Sequence, residues 1–95
     1  MVTIGMNYFV RDGKEEVFEA ACAKVIDLMA DIGGHDESHI YRRVAQGSPV
    51  YLVVSRWENE DAFSDFVASD AFKKVTDWGK LNILNGRPTH TTYHE

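Results

Sequence analysis

The run VYLVVSRW at residues 50–57 constrains this chain more than any other stretch. Its β-branched and aromatic residues read as a strand. Side chains alternate along a strand, so Val50, Leu52 and Val54 point one way and Tyr51, Val53 and Trp57 the other. Both faces are apolar. An antiparallel sheet with one face in water carries a polar face there, so a sheet built on this strand needs cover on both sides. The run Thr3–Val10 repeats the pattern. Ile4, Met6, Tyr8 and Val10 share one face, and Thr3, Gly5, Asn7 and Phe9 share the other.

What can supply the cover follows from the rest of the chain. Lys14–Ile32 has helical spacing, with Val17, Phe18, Ala21, Val25, Leu28 and Ile32 on one face, and Gly33-Gly34 stops it. Ser38–Val44 reads as a second strand, paired in a hairpin with Val50–Trp57 across the turn Ala45–Pro49. Asn59 can cap a helix over Glu60–Ala68, and Ser69 can cap a second piece from Asp70 to about Lys80. Thr89–His94 is a last strand. The order is β-α-β-β-α-β, an α+β fold with a ferredoxin-like antiparallel sheet. Its helical layer covers one sheet face only. A second copy of the chain is the simplest cover for the other, so a homodimer is expected, packed through the face that does not carry Asn7.

Composition narrows the function classes. Ninety-five residues suit one domain, 1–95, with no repeat or linker. Ten basic against fifteen acidic residues give a net charge of −5, which argues against nucleic acid and against an anionic membrane surface. There is no 18-residue apolar run and no secretory signal pattern, and the lone Cys22 excludes an internal disulfide, so a cytoplasmic protein is expected.

Trp57 at the end of its strand, then Ala62-Phe63, then Ser69-x-x-Phe72, resembles the signature of the antibiotic-biosynthesis monooxygenase superfamily. Gly34-His35-Asp36 stands where that family usually has a Pro-Gly turn. The resemblance spans nearly the whole chain. It implies a homodimer whose two sheets pack face to face into an α+β barrel, with a pocket in each subunit between sheet and helices. It also implies either cofactor-free oxygenation of hydroquinone-like aromatics or haem degradation. The haem-degrading branch uses an Asn on strand one, a Trp on the second helix and a His ten residues later. Asn7 matches the first, whereas Phe66 and Thr76 stand at the other two positions, so the axial ligand is lost. The cofactor-free branch often carries a His where Phe66 stands, and that is missing as well.

The residues themselves complete the expected site. Asn7 can donate to an oxygen-derived or phenolate anion in a dry pocket. His35 or His39, in the loop and strand near the pocket mouth, can take a proton near neutral pH. These three are the catalytic candidates. Phe66, Val75, Thr76 and Trp78 are the substrate-binding candidates, forming the wall for a flat ring, while Trp57 reads as a structural plug. No metal site is expected: His90 and His94 on a strand lie about 13 Å apart, and His35 and His39 lie on the other sheet edge. No Gly-rich dinucleotide loop occurs. The expected function is therefore a cofactor-independent monooxygenase of a small electron-rich aromatic. The alternatives are haem binding or degradation without the usual His, and a non-catalytic dimeric module for a small ligand.

Overall fold

The computed structural model describes all 95 residues. In chain order the elements are β1 (Val2–Phe9), α1 (Glu15–Asp31), β2 (His35–Arg42), β3 (Val50–Trp57), α2 (Glu60–Val67), α3 (Asp70–Asn82) and β4 (Thr89–His94). The strands form one antiparallel sheet in the order β2-β3-β1-β4. This is the expected ferredoxin-like α+β fold, with its second helix broken in two.

The break has a local cause. Asn59 Oδ1 accepts from the Ala62 N–H at 2.9 Å, capping α2. Ser69 Oγ donates to the Phe66 carbonyl at 2.7 Å and accepts from the Phe72 N–H at 3.2 Å. One hydroxyl thus ends α2 and starts α3, and the axis turns between them.

The bounds of β2 and the end of β1 differ instructively from the sequence reading. β2 starts at His35, three residues earlier than Ser38, and stops at Arg42. Gly34, at φ +93°, swings the chain straight into the sheet, where its carbonyl accepts from the Glu58 N–H at 2.7 Å. His35 then pairs with Trp57, and a bulge at Asp36 restores register by Glu37. A Cβ on Gly34 would lie 2.5 Å from Ala62 Cβ, so no other residue fits there without displacing α2. Val10 leaves β1 and makes an isolated bridge with Leu84 instead.

Val2, Ile4, Met6, Tyr8, Tyr51, Val53, Ser55 and Trp57 project toward the helices. α1 lays Phe18, Cys22 and Met29 into that interior, while Val17 stays 41% exposed. The buried stripe is therefore centred nearer Cys22 than the spacing predicts, because Val17 and Ala21 look toward α3. Two clusters make the core. One gathers Val10, Phe18, Cys22, Tyr51, Val53, Ile83 and Leu84, and the other Val2, Ile4, Met29, Trp57, Phe63 and Phe66.

The opposite sheet face has no helix. It carries Thr3, Gly5, Asn7 and Phe9 from β1, with Leu52 and Val54 beside them on β3. Tyr41 on β2 and Tyr93 on β4 extend it, 54% and 59% exposed. Asn7 therefore lies on the uncovered face, paired with Leu52, and the expectation that a partner copy would pack on the other face is not met. The helices already occupy it.

Candidate functional site

α1 and α3 diverge over the sheet and leave a groove of about 620 Å³. α1 lines it with Glu16, Val17, Ala20, Ala21 and Lys24, and α3 with Lys74, Val75 and Trp78. The volume is in the range of small-molecule sites. α3 buries no residue fully, so Trp78 stays 46% exposed and stands at the groove edge. Lys24 and Lys74 give the mouth of an acidic protein a local positive charge.

Beneath the groove lies an inner cavity of about 60 Å³. It takes Met6, Tyr8, Val53 and Ser55 from the sheet, Phe18, Cys22, Val25 and Met29 from α1, and Phe72, Val75 and Thr76 from α3. Ala21 and Val75 line both spaces, so they form the partition between them. The inner cavity is too small for an aromatic ring on its own.

Polar groups in this interior are few, and most are engaged. Thr76 Oγ1 donates to the Phe72 carbonyl at 2.8 Å, the turn below it in α3. Ser55 Oγ accepts the Trp57 Nε1–H at 2.9 Å. Tyr8 Oη donates only to the thioether of Met6, at 3.5 Å. Burial raises the Tyr8 phenol well above its ordinary range, and nearby Cys22 adds to the effect. Burial also pushes the Cys22 thiol up to about 12, with Glu19 contributing. Both stay protonated at neutral pH. Tyr51, lower on the sheet, is likewise raised to about 12 by burial, and donates to Glu19 Oε2 at 2.5 Å.

The expected site residues separate. Val75, Thr76 and Trp78 come together along α3, at the partition, the inner cavity and the groove respectively. Phe66 sits behind them, buried against Trp57 and Phe72 with ring centroids 5.5 and 4.9 Å away. It supports the wall through Phe72 and does not line the cavity. Asn7 and His39 project from the uncovered face, and His39 stands 3.6 Å from Glu37 there. Strand alternation puts them a sheet thickness away from the groove. His35 is on the helix side but at the far end of the sheet, its ring 5.0 Å from that of Trp57 and inclined at 60°, with Nε2 2.7 Å from Ser38 Oγ. Tyr8, which the sequence reading does not single out, also lines the inner cavity. The signal was its position, a phenol among Ile4, Met6 and Val10 on the face that the helices cover.

The family model for antibiotic biosynthesis monooxygenases matches residues 1–78. The chain belongs to that family. The match ends at Trp78 within α3, and β4 lies beyond it. Among solved structures, this antibiotic biosynthesis monooxygenase domain resembles SnoaB, a cofactor-independent oxygenase from Streptomyces nogalater, with a TM-score of 0.83 and 19% identity over 99% of this chain and 91% of that one. A conserved protein from Methanosarcina mazei gives 0.84 at 16% identity over 99% and 91%. Such identities speak to the fold. Among curated sequences, a Natronomonas pharaonis protein named provisionally for haem binding is 31% identical over 88 residues, which is 93% of this chain. A Halobacterium salinarum protein with the same kind of name is 27% identical over 88 residues, again 93% of this chain. This domain spans only 14% and 18% of those two relatives, so the name describes much more protein than the matched part.

The residues lining these spaces bear on haem. The inner cavity contains no imidazole, and its thiol and phenol are held protonated by burial. Thr76, at the position of the family His, directs its hydroxyl to a backbone carbonyl. These residues do not fit an axial ligand for haem iron. No three His, Cys, Asp or Glu side chains cluster to hold a metal ion. No helix is long and apolar enough to cross a membrane.

Proposed function

We propose that the chain is a small cofactor-independent monooxygenase acting on a flat, electron-rich, hydroquinone-like aromatic. The observation that carries this reading is the apolar groove between α1 and α3, of small-molecule-site volume, with an apolar inner cavity behind its Ala21 and Val75 wall. A ring lies against Trp78 and Val75 at the groove, with Thr76 and Phe72 below and Phe66 behind Phe72. Lys24 and Lys74 at the mouth favour an ionised phenol. The anion gives electrons to oxygen; one oxygen atom enters the ring and the other leaves as water, so the substrate supplies every electron. Catalytic roles for Asn7, His35 and His39 are not part of this proposal, since none of them lines the groove or the inner cavity.

The working unit is proposed to be a homodimer. The apolar, helix-free sheet face with Phe9, Leu52 and Val54 supports a second copy as its cover. A stable monomer by light scattering at micromolar concentration overturns that part.

An oxygen electrode with a panel of hydroquinones and anthrone-like phenols tests the reaction. Uptake of one O2 per substrate is expected from the purified protein without added cofactor, with release of a quinone that carries one added oxygen atom and without hydrogen peroxide. Uptake that appears only after haem is added, or no uptake with any member, overturns it. A parallel haem titration followed by the Soret band addresses the alternative, for which weak binding and no ring cleavage are expected.

A further inference from the structure

We propose that Tyr8 is the hydrogen-bond donor that holds the substrate's ring oxygen, so the site selects aromatics that carry a hydroxyl or its anion. This rests on the reading of the α1–α3 groove as an aromatic pocket. Three hydroxyls, those of Tyr8, Ser55 and Thr76, line the inner cavity. Ser55 is occupied by the Trp57 indole, and Thr76 by the Phe72 carbonyl. Tyr8 has only a thioether, and sulfur in a thioether is a weak acceptor. A half-buried hydroxyl so poorly partnered gains little over a phenylalanine of the same shape. The ring itself is well supported, with its centroid 5.3 Å from that of Phe18, so Phe18 holds the phenol in place without using its O–H.

The donor also lies on the proposed route. A ring entering past Val75 and Ala21 meets the cavity that Tyr8 lines. Its leading oxygen displaces the thioether contact and receives a full O–H···O bond in largely apolar surroundings, where such bonds are stronger than in water. A phenol raised by burial cannot itself ionise at neutral pH, so it stays a donor to a substrate anion and does not compete for the proton. An aromatic lacking an oxygen leaves Tyr8 as it stands and gains nothing from it.

The test compares two ligands of nearly equal shape, 1-naphthol and 1-methylnaphthalene, by calorimetric titration with parent, Tyr8→Phe and Met6→Leu proteins. The ratio of the two dissociation constants is the readout, because it cancels packing changes shared by both ligands. Tyr8→Phe is expected to shift the ratio against 1-naphthol about tenfold or more. Met6→Leu removes the competing sulfur at similar volume and is expected to shift it the other way. Thermal unfolding of Tyr8→Phe is expected at or above the parent temperature. An unchanged ratio in Tyr8→Phe, a parent that binds neither ligand, or a Tyr8→Phe protein that melts well below the parent each overturns the proposal. No oxygen chemistry enters this assay. A Tyr8-dependent ratio in a protein that consumes no oxygen leaves Tyr8's role standing and defeats the oxygenase reading alone.

Discussion

The two ends of the helix–sheet interior are built on different terms. At one end Trp57 is fully buried, its indole N–H is satisfied by Ser55, and Phe63 and Phe66 pack on it at 5.7 and 5.5 Å. Gly34 lets α2 approach until there is no room for a methyl group. At the other end α3 lies over the sheet with no fully buried residue, a groove opens beside it, and the Tyr8 hydroxyl rests on sulfur. The first end is close-packed and fully paired; the second is open and under-paired. One sheet thus supports a close-packed end and an end with room beside α3.

The largest test of that contrast is Trp57→Ala. It removes the centre of the tight end and leaves Ser55 without its donor, so a loss of about 3–5 kcal/mol is expected by chemical denaturation. A loss under 1 kcal/mol would erase the distinction. Gly34→Ala comes next. It adds a Cβ in contact with Ala62 at a positive φ, and about 2–4 kcal/mol is expected from the clash and the backbone together. Ligand affinity at the groove should change little, because Gly34 is at the opposite end.

How far the sequence went can be judged against these two positions. The element order, the strand Val50–Trp57 and the caps Asn59 and Ser69 were legible, because periodicity and capping are local. The Trp57 plug was legible too, from its place at the strand end. Gly33-Gly34 was read as a helix stop, but its approach to Ala62 is a contact between elements that spacing cannot show. The placement of Asn7 failed for a related reason. Alternation says which residues share a face, not which face the helices choose. The choice follows from where Phe18, Cys22 and Met29 land, and the stripe read from spacing was centred one residue away. That Val75, Thr76 and Trp78 share one face region is legible because they lie on one short helix; that Tyr8 lines the same cavity is not, because this depends on α1 and α3 meeting over it.

A third test uses pH. Cys22 has a folded value of about 12 against 9.0 for the ordinary thiol, and Tyr8 is raised in the same sense. Both are neutral below their unfolded values, so their burial is fully tolerated there. Above about pH 9 the unfolded chain releases the thiol proton and the folded one does not. Stability should therefore fall between pH 9 and 12, by about 1.4 kcal/mol per pH unit and about 4 kcal/mol at most for Cys22. Denaturation midpoints across that range, in the parent and in Cys22→Ala, check it; a flat profile in the parent would show the thiol to be solvated. The smallest expected effect on stability is Trp78→Ala, within about 0.5 kcal/mol because the side chain is half in water. Its effect should appear in aromatic ligand affinity instead, measured by titration. A large stability loss with unchanged affinity would make α3 part of the tight end.

The strand order has a kinetic consequence. β1 lies in the middle of the sheet, yet its neighbours are β3 and β4, which follow it by some fifty and ninety residues. During synthesis the earliest strand therefore waits, with a hydrophobic edge on each side, until the chain is almost finished. Closing loops of that length comes before any reward from pairing, which slows folding relative to a hairpin-first topology. The interval leaves Val2–Phe9 open to pairing with other nascent chains, so refolding yield should depend on protein concentration more steeply than native stability alone would suggest.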